Sequence, residues 1–484
     1  MKLDSRIFGL LALPVVAILM FVAAEIRPGY FSNLTFLGGL LLLEVVFALI
    51  WHYEKWFFVG MILAFIWGGS ALPLAGAGSA ARWVFLIVGA MVGVIKWVEQ
   101  DRRQHFGGIH LIAALCILSA AVSSMVSIRT QTSLLKTASV FFVFLYASCG
   151  VRVAVAGRER AFFRGLVTAC EITSFLSAFL YLILHFPFFG NPNSLGAVMG
   201  VVVVPILLWG VLVAEDQQVR QRRLVALALA AFLLVYATSR AGILASAVSL
   251  TVACIALRRT RLLMKGAFAV VFLTAALAVV QVNTFDNLVA SFTEDVIYKG
   301  KPEEGLFGSR KSPWQETVDV IKESPWFGSG FGTDRLQTRQ GDSVFRTNEG
   351  TNREHGNSYL ALLEYVGLLG VVPFAVMIAL LLRMIYLACS WMRRTGDHSQ
   401  YFVPLTLICT AGLVHAVFED WLFAVGYYLS VFFWIHVFLL SDLLPRRVHE
   451  LSAFPRQWRN HPVPAGRVPL TASQFSTNRY PANQ

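Results

Sequence analysis

Apolar runs of about 17–25 residues follow one another along most of this chain, separated by short connections. A helix of that length crosses the hydrocarbon core of a bilayer, about 30 Å at 1.5 Å per residue. The runs are continuously apolar rather than alternating, which argues against a membrane β-barrel. With 57% hydrophobic residues and a mean hydropathy of +0.65, the chain reads as an all-α polytopic membrane protein of about 12–14 transmembrane helices. One long polar stretch, residues 282–356, interrupts the pattern and must lie on one face of the membrane.

The apolar runs fall at about 7–24, 34–51, 57–75, 82–98, 108–127, 134–155, 163–185, 194–214, 224–237, 241–257, 264–281, 357–386, 401–417 and 421–441. The first follows Lys2 and Arg6 but is too long for a signal-peptide core and lacks a clean A-x-A site, so it reads as a retained helix. The basic connections His52–Lys55, Glu99–Arg103, Gly157–Arg164, Glu215–Arg223, Arg258–Lys265 and Arg393–His398 all share one side when the N-terminus is cytoplasmic. That places both termini inside and residues 282–356 outside. Four regions result: membrane helices over 1–281, the large outer loop 282–356, membrane helices over 357–442, and a basic, proline-rich cytoplasmic tail over 443–484, read as disordered and lying near anionic lipid.

The net charge of +12 could point to nucleic acid, but the basic residues sit in short connections between apolar runs, where membrane topology accounts for them. The six cysteines lie in or at the edge of apolar runs without paired spacing, and so read as small buried hydrophobes. No H-E-x-x-H, C-x-x-C or D-x-D spacing calls for a metal, and no cofactor is expected.

Several polar elements fall on the outer side. In Asn191-Pro192-Asn193 the second asparagine is positioned to cap a helix start. Arg240, in Thr238-Ser239-Arg240-Ala241-Gly242, lies between two apolar runs with almost no loop, where a guanidinium needs an anionic partner or a watery cavity; its planar fork suits phosphate. Snorkelling to headgroups is the alternative. Within the loop, Gly308-Ser309-Arg310 precedes an amphipathic helix over 312–323, with Pro313 in its first turn and Trp314, Val318 and Ile321 at helical spacing. Gly328, Gly330 and Gly332 then demand backbone freedom or close approach; no lysine or preceding strand makes this a nucleotide-phosphate loop. Arg353-Glu354-His355-Gly356-Asn357 leads into the next span, and His355 is the candidate general base, with His185, His415 and His436 as rivals. Glu419 and Asp420, in the last outer turn, could hold Arg240 or His355.

The order of Asn191–Gly196, Ser239-Arg240-Ala241-Gly242, Arg310 with Trp314 to Pro325 and Gly328–Gly332, His355 to Gly370, and Glu419 resembles the O-antigen ligase/polymerase superfamily of bacterial membrane glycosyltransferases, over about residues 185–440. The resemblance implies a GT-C-like membrane fold in the inner membrane and an undecaprenyl-pyrophosphate-linked glycan as donor. It also implies a periplasmic site and metal-independent, inverting transfer. His355 and Arg240 would be catalytic, and Arg240, Arg310, Asn193, Asn357, Arg353 and Glu419 would bind substrate. The membrane lipids, a lipid A-core acceptor and a chain-length regulator are the partners implied; nucleic acid is not. Many members read His-Asn followed by Tyr/Phe-Leu, whereas an extra residue intervenes in His355-Gly356-Asn357-Ser358-Tyr359-Leu360. One residue is about 100° of helix rotation, so His355 either lies just before the helix or faces differently. That departure and the span count favour a polymerase of carrier-linked repeat units over a ligase to lipid A-core or protein. A lipid-linked glycan flippase or transporter is the remaining class; it would place its charges nearer mid-membrane.

Overall fold

The computed structural model describes residues 54–72, 75–99, 107–261, 264, 308–333, 355–424 and 426–444. The expected spans at 7–24 and 34–51, nearly all of 264–281, Arg353, and the tail from 445 lie outside the described residues. Within them the protein is all-α. The helices are α1 Glu54–Gly68, α2 Ala75–Glu99, α3 Gly108–Met125, α4 Thr130–Val155, α5 Glu159–Ile183, α6 Pro192–Leu212, α7 Gln217–Tyr236, α8 Arg240–Ala256, α9 Gly308–Glu323, α10 Ser358–Thr395, α11 Phe402–His415 and α12 Tyr428–Leu443. Six of these, α2 to α6 and α10, are long and apolar enough to cross a membrane.

The helices begin where the sequence supplies a cap. Asp216 accepts from Gln218 N at 3.2 Å to open α7, Ser239 from Gly242 N at 3.3 Å to open α8, and Asn191 from Ser194 N at 2.7 Å to open α6. The cap of α6 is therefore Asn191 rather than Asn193, because Pro192 takes the first helical position and puts Asn193 inside the first turn.

Every residue of α12 from Tyr428 to Leu440 is buried, so a helix apolar all round its circumference forms the central pillar. Helices α6 and α11 are almost as enclosed. The surrounding helices turn large apolar side chains outward: Leu111 is 66% exposed and Ile172 58%. Such a surface is costly in water and free of cost in lipid. At one end of the bundle, ion pairs and hydrogen bonds join the Arg-rich connections: Arg152 grips Asp442 through two nitrogens, Arg222 and Arg223 share Glu171, and Trp209 donates to the His398 carbonyl. The polar elements singled out above gather at the opposite end.

Candidate functional site

The site is organised by a break in α10. At Gly367, with φ +68° and ψ −177°, the backbone leaves the helical region, and the neighbouring peptide groups lose their intrahelical partners. The segment Ser324–Thr333 replaces them. Ser329 N and Gly330 N donate to the carbonyls of Glu364 and Tyr365 at 2.8 and 3.1 Å, while Leu368 N and Leu369 N donate to those of Pro325 and Trp326 at 2.7 and 3.1 Å. Non-helical backbone inside a membrane bundle is tolerated only when protein satisfies it in this way. The glycine-rich run thus fills the gap in α10, and the hydroxyls of Ser123 and Ser133, on α3 and α4, hold it from behind by donating to Phe327 O and Phe331 O.

Helix α9 lies over the start of α10. It begins four residues before the expected helix, so Arg310 is helical and Pro313 sits past the first turn. Its inward stripe also differs from the expected one: Thr317 and Val320 are buried, whereas Val318 is 38% exposed. The helix is anchored by Trp314 Nε1, which donates to the Gly356 carbonyl at 3.0 Å. Gly356 has φ +64°, and a Cβ there would lie 3.0 Å from both Cδ and Nη1 of Arg310. The extra residue in His-Gly-Asn is therefore a left-handed turn that ends below Arg310, and His355 precedes the helix instead of rotating on it. Asn357 caps α10, accepting from Tyr359 N at 2.8 Å and Leu360 N at 3.0 Å, which commits its side-chain oxygen to the backbone.

The turn between α11 and α12 supplies the counter-charges. Arg310 pairs with Glu419, and His355 Nδ1 lies 2.8 Å from Asp420 Oδ2. On its other side His355 Nε2 is 3.3 Å from Glu364 Oε2, and Tyr365 packs edge-on against the ring at 5.3 Å. Each ring nitrogen thus has a carboxylate oxygen within ion-pair distance. Burial alone would favour the neutral imidazole. The two flanking carboxylates overcome it and raise the His355 pKa to about 9. Ser358 fixes the turn: its hydroxyl donates to Glu419 O at 2.6 Å and accepts from Trp421 N and Leu422 N at 3.0 and 3.1 Å.

The rival histidines are otherwise engaged. His415 Nδ1 accepts from Trp421 Nε1 at 2.7 Å, which fixes that nitrogen as unprotonated, and His436 Nδ1 faces its own helix at Phe432 O, 2.6 Å away. His185 lines a cavity of about 300 Å³ with Tyr181, Pro192, Tyr236 and Thr238, two residues from Arg240 and separate from the His355 bracket.

Arg240 opens α8, whose first turn crosses the first turns of α6 at backbone contact. A Cβ on Gly200 would lie 2.4 Å from Gly242 O, and one on Gly242 would lie 2.5 Å from Gly196 O. Arg240 lies within electrostatic range of Arg310. The structure thus unites Arg310, His355, Asn357 and Glu419 in one cluster, with Arg240 in range of Arg310, while Asn193 lies in the first turn of α6. Asp420 was foreseen only as one of two acids in the turn. Glu364 was missed, although an acid at the eighth residue of the apolar run 357–386 was a visible signal.

Residues 225–375 match the family model described as O-antigen ligase. Over that segment, about a third of its length, the chain is similar to the O-antigen ligase/polymerase superfamily. That segment holds Arg240, Arg310, His355, Asn357, Glu364 and the Gly367 break, and leaves out Asn193, Glu419 and Asp420. That similarity supports a polysaccharide-related glycosyl-transfer role. No curated protein matches the chain.

Proposed function

We propose that this protein polymerises undecaprenyl-pyrophosphate-linked oligosaccharide repeat units into O-antigen or exopolysaccharide, by inverting, metal-independent glycosyl transfer at the periplasmic face of the inner membrane. In this topology both termini are cytoplasmic. The observation that carries the reading is the mounting of Arg310 directly over the Gly356 turn, so that its guanidinium and the titratable His355 bracket lie close together. Arg310, with Arg240, would bind the pyrophosphate and offset the charge that grows on it as the glycosidic bond breaks. The pyrophosphate is already a good leaving group, so the chemistry left to the protein is positioning and removal of the acceptor's proton.

The ligase reading, transfer of finished polysaccharide to lipid A-core or a protein, is favoured by the description of the matching family model. Deleting the gene in its host and analysing lipid-linked intermediates and surface glycans separates the two. Single repeat units accumulating on the carrier, with polymer absent, identify a polymerase. Polymer retained on the carrier with a bare acceptor identifies a ligase, and an unchanged glycan profile refutes both.

A further inference from the structure

Three ionisable side chains meet at His355, and they differ sharply in access. The side chain of Glu364 is 0% exposed and that of His355 4%, whereas that of Asp420 is 22% exposed. An acceptor hydroxyl arriving at this cluster therefore meets the Asp420 carboxylate first. Both imidazole nitrogens are already turned to carboxylates, so no imidazole lone pair is presented outward. Asp420 also adjoins Glu419, the partner of Arg310, and consecutive Cα atoms are about 3.8 Å apart. A donor whose pyrophosphate lies on Arg310 thus has its first sugar close to Asp420.

We infer that Asp420 takes the proton of the acceptor hydroxyl and that His355, as an imidazolium held between Glu364 and Asp420, is the positioning residue for that carboxylate. The inference rests on the glycosyl-transfer reading. In the step, the acceptor O–H bond breaks and its proton passes to Asp420, while the hydroxyl oxygen bonds the anomeric carbon. The bond from that carbon to the pyrophosphate oxygen breaks, and its electron pair leaves on the phosphate, opposite Arg310 and Arg240. The charged groups facing the pair are Glu364 from α10, Glu419 from the same turn and Arg310 from α9; His415 of α11 lies within range of Arg310. Loss of the imidazolium proton would leave two uncompensated carboxylates beside an anionic donor.

The test uses the full-length protein in lipid nanodiscs, with lipid-linked glycan extracted from a host lacking the gene. The wild-type turnover rate is expected to sit on a plateau at neutral pH and to fall only as pH rises through about 9, where His355 deprotonates. Asp420→Asn should lose roughly 10²–10⁴-fold in kcat with donor KM little changed, and Asp420→Glu should recover part of it. His355→Gln should lower the plateau yet remove the alkaline fall, a change that a purely structural role would not produce. A wild-type rate that climbs tenfold per pH unit toward 9, with Asp420→Asn keeping more than a tenth of the activity, would overturn the assignment in favour of His355 as base. Absence of any transfer by the wild type would overturn the glycosyl-transfer reading itself, and this inference with it.

Discussion

Gly356→Ala isolates the contact on which the outer site depends. The substitution adds a single methyl group to a residue at φ +64°, where a side chain costs about 1–2 kcal/mol in backbone conformation alone. Its Cβ would also sit 3.0 Å from Cδ and Nη1 of Arg310 and 3.4 Å from Trp314 Nε1. Arg310 cannot swing aside without leaving Glu419, and Trp314 cannot without breaking its bond to the Gly356 carbonyl, so the overpacking adds roughly 1–3 kcal/mol. The expected result is a thermal-unfolding loss of roughly 2–5 kcal/mol and a tenfold or greater rise in donor KM, since the displaced group is the guanidinium assigned to phosphate. A double-mutant cycle separates the two contributions. In an Arg310→Ala background the steric part should vanish, leaving a cost of about 1–2 kcal/mol. If Gly356→Ala is within 0.5 kcal/mol of wild type in stability and twofold in donor KM, on the order of the scatter for neutral surface changes, the account of the extra residue is refuted.

Ser358→Ala removes a hydroxyl that serves two amides and one carbonyl of the last outer turn, and should cost about 2–4 kcal/mol in thermal unfolding, with activity falling in parallel; an unchanged melting temperature would show that the turn holds itself. The raised pKa of His355 predicts a pH dependence of stability with a definite sign. The imidazolium pairing is fully present below pH 6.5 and lost as pH rises through about 9, at a cost of roughly 3 kcal/mol, and His355→Gln should flatten that dependence in denaturant unfolding. Gly200→Val places atoms into the Gly242 peptide at the α6–α8 crossing and should destabilise by more than about 3 kcal/mol; normal assembly in membranes would contradict the close approach. Arg240→Lys keeps the charge but loses the two-pronged fork, so most transfer activity should disappear, and near-normal kcat/KM would remove Arg240 from the phosphate site.

The fold class was legible because it depends on the length and continuity of apolar runs, which bilayer thickness fixes with little help from tertiary contacts. Arg240 stood out for a related reason, since a guanidinium at a membrane boundary demands explanation whatever surrounds it, whereas Arg310, inside the loop, was singled out only through the family resemblance. Pairings were not legible. Arg310 takes Glu419 and His355 takes Asp420, yet the two acids are sequence neighbours of the same type in the same turn, and only the path of α9 decides between them. The glycines at 328, 330 and 332 announced unusual backbone without saying what it approached. Gly367 left a fainter trace: glycine alone, with Pro373 six residues on, is common in membrane helices that run through unbroken. Val318 was misplaced because spacing says which residues share a helix face but not which face packs inward, and the packing buries Thr317 and Val320 instead.

The insertion at Gly367 bears on why a membrane enzyme would assemble its site from a loop at all. A guanidinium on a freely tethered loop would lose much of its advantage to the entropy of ordering it, since binding would have to fix loop and ligand together. Here Ser324–Thr333 is tied to α10 by four main-chain hydrogen bonds between Glu364 and Leu369, so α9 departs from a fixed point on the same helix that His355 precedes. The Trp314–Gly356 and Arg310–Glu419 contacts close that path at its other end. Arg310 and the His355 bracket are thereby placed by two independent attachments before any donor arrives. Electrostatic stabilisation of a leaving group is most effective when its donors need no rearrangement during the reaction. A substitution that loosens the Gly367 junction should therefore depress turnover even though it touches neither charge.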